Sequence, residues 1–117
     1  MSDRAGVRRV VAVIGLPAGH AAEYERLHAE VWPEVLARIR ASNIRDYTIH
    51  RHGELLISVY DYVGDDYAAD MAAMAADPAT QRWWALCEPL QRPVAEREPG
   101  EWWHEPPEVF RFVHRLD

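Results

Sequence analysis

Tyr24, His28 and Trp32 stand four residues apart in the chain. On a helix that spacing stacks a phenol, an imidazole and an indole on one face. The imidazole is the group of interest, because histidine takes up and releases a proton near neutral pH and so can serve as general acid or base. The phenol can bind or orient a hydroxyl beside it. The same line runs next to Leu27, Val31 and Val35, so it also reads as a core stripe carrying a satisfied histidine. Pro33, directly after Trp32, weighs toward a site, since helix irregularities often mark one.

Trp83 and Trp84 form an adjacent indole pair. Neighbours on a helix point about 100° apart, so one can enter the core while the other faces a pocket. Indole faces suit the C–H faces of sugars, and the indole N–H can donate to hydroxyls. Trp102 and Trp103 lie among glutamates in a stretch without periodicity. Exposed indoles there would be costly, so they should cover either a partner subunit or the mouth of a site. The remaining histidines, His20, His50, His52, His104 and His114, form no metal-binding spacing. Phosphate-binding glycine loops and hydrolase nucleophile motifs are absent from the sequence.

Bulk composition narrows the partners. The chain has 117 residues, which suits one domain spanning 1–117 with a single core. Hydrophobic residues make up 49% and exclude general disorder. The formal net charge of -6 repels phosphate backbones, so no nucleic-acid partner is expected. One cysteine, Cys87, excludes an intramolecular disulfide and a Cys-based zinc cage. Neither a signal peptide nor a transmembrane run is legible, so no membrane partner and a cytoplasmic setting are expected.

These residues need elements to hold them. Val7 to Ile14 is a valine-rich run closed by Gly15 and Pro17, and predicts the first strand. Ala18 to Ser42 has a helical period. Pro33 must kink that helix or open a second one as its first residue. Ile44 to Arg51 and Glu54 to Tyr62 predict two strands of a hairpin turning at His52-Gly53. Asp65 to Ala76 predicts a helix, and Asp77-Pro78 the cap and first residue of another. Gln91 to Pro107 is a long Pro/Glu-rich connector, a length usually tied to function or to an arm. Val109 to His114 predicts a closing strand. The resulting order, β-α-β-β-α(α)-β, is ferredoxin-like, an α+β fold with an antiparallel sheet and helices on one face. The other face of the four-stranded sheet needs cover, which predicts a homodimer packed sheet to sheet.

Four segments together resemble the L-rhamnose mutarotase family. Tyr24-x-x-x-His28-x-x-x-Trp32-Pro33-Glu34 is similar to its first-helix signature and Asp46-Tyr47-Thr48-Ile49 to a strand segment. Gln81-Arg82-Trp83-Trp84 and Glu108-Val109-Phe110 resemble its second signature and its closing strand. The resemblance spans about residues 7 to 114. It implies a dimeric ferredoxin-like α+β barrel that interconverts the α and β anomers of a six-carbon deoxy sugar without metal or organic cofactor. It places the proton donor on His28 and the substrate contacts on Tyr24, Tyr47, Trp83 and Trp84. Ala29-Glu30 departs from the Asn-Pro that usually follows the histidine, which leaves L-fucose as an alternative sugar. Two rivals share the fold, a cofactor-free monooxygenase and a non-enzymatic dimeric barrel that binds an apolar ligand.

Overall fold

A computed structural model describes residues 7–114. Its regular elements are β1 (Arg8–Gly15), α1 (Ala21–His28), α2 (Pro33–Ala41), β2 (Ile44–His52), β3 (Leu55–Tyr62), α3 (Tyr67–Ala76) and α4 (Pro78–Cys87). Short 3-10 turns, Ala18–His20 and Glu88–Leu90, precede α1 and follow α4.

The three strands form one antiparallel sheet in the order β1-β3-β2. Alternation along the strands puts Val10, Ala12 and Ile14 of β1 and Leu56 and Ser58 of β3 on the buried face. The β2–β3 hairpin turns at Gly53, whose φ of 59° is left-handed and suits glycine. The register of β2 slips between Arg45 and Thr48, a bulge with Asp46 at a φ of 52°. The irregularity sits next to Tyr47 and re-aims it relative to a straight strand.

The long helical period breaks at the proline. α1 stops at His28, residues 29–32 turn away, and Pro33 opens α2 as its first residue. That position is the one where a missing N–H costs nothing. Asp66 and Asp77 cap α3 and α4, accepting from the backbone N–H of Ala69 at 3.0 Å and of Thr80 at 2.9 Å. Tyr62 donates to Asp70 at 2.5 Å and Asn43 donates to the same carboxylate at 3.0 Å, tying α3 to β3 and to the α2–β2 corner. The buried core joins Ile14, Leu16, Tyr24, Val35, Leu56, Trp83 and Cys87.

The expected fourth strand is a correction. Val109 to His114 forms no ladder, and Val109, Phe110 and Phe112 stand exposed. The free edge of β1 is met instead by the connector, at two points. Arg92 exchanges both backbone hydrogen bonds with Gly15 (2.7 and 2.9 Å), and His104 exchanges both with Val13 (2.8 and 2.9 Å). A Cβ at Gly15 would lie 2.6 Å from the carbonyl oxygen of Arg92, so only glycine permits this crossing.

Candidate functional site

Between the buried face of the sheet and the helices lies a cavity of about 660 Å³, within the roughly 300–1,000 Å³ common for small-molecule sites. Tyr24, His28, Tyr47, Trp83 and Trp84 all border it. Thus the five residues singled out in the sequence come from α1, β2 and α4 and converge on one space. Trp102 and Trp103 border it too, so the connector indoles join the walls of the same space. Trp32 does not border it and packs edge-on against Trp83 at 5.2 Å, a core role.

His28 is half-buried at the last turn of α1. Its Nδ1 lies 2.8 Å from the carbonyl oxygen of Tyr24. A carbonyl can only accept, so Nδ1 carries a proton and Nε2 is the nitrogen left for the cavity. Burial lowers the His28 pKa below its usual value, and the bond to the Tyr24 carbonyl offsets part of this. The resting imidazole at neutral pH is therefore uncharged, with a basic Nε2. Tyr24 stacks on it at 4.1 Å with the ring planes 21° apart, and Trp83 meets it edge-on at 5.2 Å.

Tyr24 itself is 3% exposed, and burial pushes its phenol well above the ordinary range. It acts as a hydrogen-bonding hydroxyl, not as a phenolate. Tyr47 borders the cavity with 39% of its surface exposed, and the hydration its phenol loses there raises it to about 12. Cys87 borders the same space, with its thiol raised to about 11 by burial, which leaves it a neutral thiol and a poor nucleophile. Among the described residues no group of three or more His, Cys, Asp or Glu side chains is placed to hold a metal ion.

Several cavity residues escaped the sequence reading. Tyr60 and Tyr67 face each other through their hydroxyls, and Tyr47 packs edge-on against Tyr60 at 5.2 Å. Alternation along β3 could have found Tyr60, which shares the inward face with Ser58. Gln91 also borders the cavity and donates from Nε2 to the Tyr24 hydroxyl at 3.2 Å. It begins an irregular connector, where no periodicity marks it. The other histidines stand apart: His20 meets the Leu90 carbonyl at 3.1 Å, His104 pairs with Glu101 at 2.9 Å, and His50 and His52 line the exposed hairpin. A shallow hollow of about 370 Å³ on the connector turn is walled by residues 97–102 alone and brings no second element to bear on a ligand.

One imidazole, several indoles and several phenols border one cavity of a ferredoxin-like α+β domain, and its relatives make the chain an isomerase of the sugar mutarotase class. The sequence profile of the L-rhamnose mutarotase family matches residues 9–112, and the chain belongs to that family. It is 41% identical over 93 residues to an L-fucose mutarotase of Xanthomonas campestris, covering 76% of this chain and 74% of the relative. It is 38% identical over 74 residues to an L-rhamnose mutarotase of Verminephrobacter eiseniae, covering 63% of this chain and 69% of the relative. The solved L-rhamnose mutarotase FA22100 of Formosa agariphila superposes with a TM-score of 0.68 at 18% identity, over 91% of this chain and 99% of that one, a likeness of fold.

Proposed function

We propose that the chain interconverts the α and β anomers of a 6-deoxy hexose, with L-rhamnose as the first substrate and His28 as the group that moves the proton. The observation that carries this reading is the single free imidazole nitrogen, Nε2, on a residue bordering an indole-walled cavity. Because the resting ring is neutral, the same atom first accepts the proton of the anomeric hydroxyl. The bond between the anomeric carbon and the ring oxygen breaks, the carbonyl forms, and the imidazolium returns its proton to the ring oxygen. His28 is thus the proton donor at the ring oxygen after it has served as acceptor. Rotation of the open-chain aldehyde and the reverse steps close the other anomer. Trp83 and Trp84 support the C–H face of the sugar, while Tyr24 and Tyr47 bind hydroxyls.

L-Fucose is the second candidate, favoured by the name of the Xanthomonas relative. A homodimer belongs to the same proposal. Its support is the apolar outer face of the sheet, where Val11 pairs with Val59 and Val13 with Ile57, together with the exposed Val109, Phe110 and Phe112. No helix among the described residues is long and apolar enough to cross a membrane.

Saturation-transfer NMR of the anomeric protons, run on L-rhamnose, L-fucose and their epimers, tests the reading. His28→Ala is expected to lose roughly 10²–10⁴-fold in rate, the usual worth of general acid-base help, with an unchanged circular dichroism spectrum. Wild-type exchange in that variant removes His28 from the mechanism. Exchange of neither deoxy sugar by the unmodified protein removes the substrate assignment.

A further inference from the structure

The hydrogen bonds around Tyr24 have a direction that the geometry settles. The indole N–H of Trp102 is a donor and has no acceptor lone pair. It lies 2.7 Å from one end of the Gln91 amide, so that end is the oxygen, Oε1. The other end, Nε2, then faces the Tyr24 hydroxyl at 3.2 Å and donates to it. A phenol has one proton. With its oxygen accepting from Gln91, Tyr24 cannot point that proton along the same line. Among the described residues no protein acceptor takes it, and Tyr24 borders the cavity.

The backbone holds this arrangement in place. The Gln91 N–H donates to the carbonyl of Glu88 at 3.0 Å, and the next residue, Arg92, is fastened on both sides to Gly15 of β1. The amide therefore sits between the end of α4 and the edge of the sheet, while Trp102 approaches from the far end of the connector.

We infer that Gln91 is a positioning residue for the mutarotase reaction: with its oxygen held by Trp102, it donates to Tyr24 and thereby turns the phenol's only proton toward a sugar oxygen beside His28. The inference rests on the reading that Tyr24 touches the sugar. Tyr24 stacks on the imidazole at 4.1 Å, so an oxygen accepting from Tyr24 lies close to the group that moves the proton. Gln91 touches no reacting atom in this account. It fixes which way a neighbour's hydrogen bond runs.

The test compares Gln91→Glu, Gln91→Met and Tyr24→Phe by anomeric exchange on L-rhamnose and L-fucose across pH, each rate divided by that of the unmodified protein at the same pH. This division removes the pH dependence that each variant shares with the unmodified protein, His28, Cys87, Glu88 and Glu105 all bordering the same cavity. The ionised carboxylate introduced by Gln91→Glu would accept from both Trp102 and Tyr24 and draw the phenol's proton away from the cavity. Gln91→Glu should then fall in kcat/KM on the order of 10-fold at neutral pH, the worth of one hydrogen bond of ordinary strength, and match Tyr24→Phe. Once protonated, the carboxylic acid has the shape and polarity of the amide, with its O–H donating to Tyr24 and its C=O accepting from Trp102. The relative rate should therefore recover as pH falls through that carboxyl's titration, while Gln91→Met stays low and flat. A flat Gln91→Glu ratio, or an unimpaired Gln91→Met, beside an impaired Tyr24→Phe overturns the positioning role and leaves Tyr24 as a contact. An unimpaired Tyr24→Phe overturns the contact itself. Thermal unfolding of each variant separates these outcomes from loss of the fold.

Discussion

At the scale of single residues, a neutral imidazole is made by two opposed effects. Loss of hydration disfavours the charged ring, and the Tyr24 carbonyl favours it by accepting from Nδ1, with burial the larger. The sign for activity follows. Under the proposed mechanism the free enzyme is competent with His28 neutral, so kcat/KM should be level at pH 7 and above and should fall as pH drops through a midpoint below 6.5, the ordinary value for histidine. Measured anomeric exchange against pH checks this, and a midpoint at or above 6.5 contradicts it. Tyr24 should contribute no limb in the accessible alkaline range, because burial keeps its phenol protonated there. Tyr24 and His28 were legible in the sequence because one spacing on one helix puts them together, whereas Trp32, grouped with them by the same spacing, lies past the break after α1 and packs on Trp83 instead. The contact of Gln91 with Trp102 was not legible, because it spans 11 residues of irregular chain, and no period relates such positions.

At the scale of elements, the proline at Pro33 was readable as an interruption, and the structure resolves it as a full break. That break frees the last turn of α1 from the next helix and leaves His28 at an end with room beside it. The β2–β3 hairpin and the Asp77-Pro78 helix start were equally legible, since turn glycines and capping aspartates act locally. The closing strand was misread for a physical reason. Alternating apolar residues make a segment able to be a strand, but a ladder needs a partner edge, and the connector already meets the edge of β1 at Gly15 and Val13. Gly15→Ala tests how far that crossing supports the site. The added methyl would collide with the Arg92 carbonyl. The variant should lose roughly 1–3 kcal/mol of stability, as overpacking does, and should lose exchange activity in the fraction that stays folded, since Gln91 is the adjacent residue. Urea unfolding with parallel rate measurements reads both, and unchanged activity would separate the crossing from the site.

At the scale of the whole molecule, three large apolar side chains on the C-terminal segment face outward, with Val109 93%, Phe110 79% and Phe112 77% exposed. Burying a phenylalanine side chain is worth about 1.5–3 kcal/mol. If a second copy covers them, replacing all three by serine should weaken self-association by roughly 100-fold or more in Kd. Sedimentation velocity across a concentration series measures this. A wild-type chain that stays monomeric at tens of micromolar (about the range of such runs) refutes the dimer.

The paired bonds at Gly15 and Val13 have one more effect. A β-sheet grows by adding chains to whichever border still offers free amides and carbonyls. On this sheet one border is blocked at two points by the connector and the other is distorted by the kink around Asp46. Neither border runs straight and open along its whole length, which limits the stretch on which a further chain could stack.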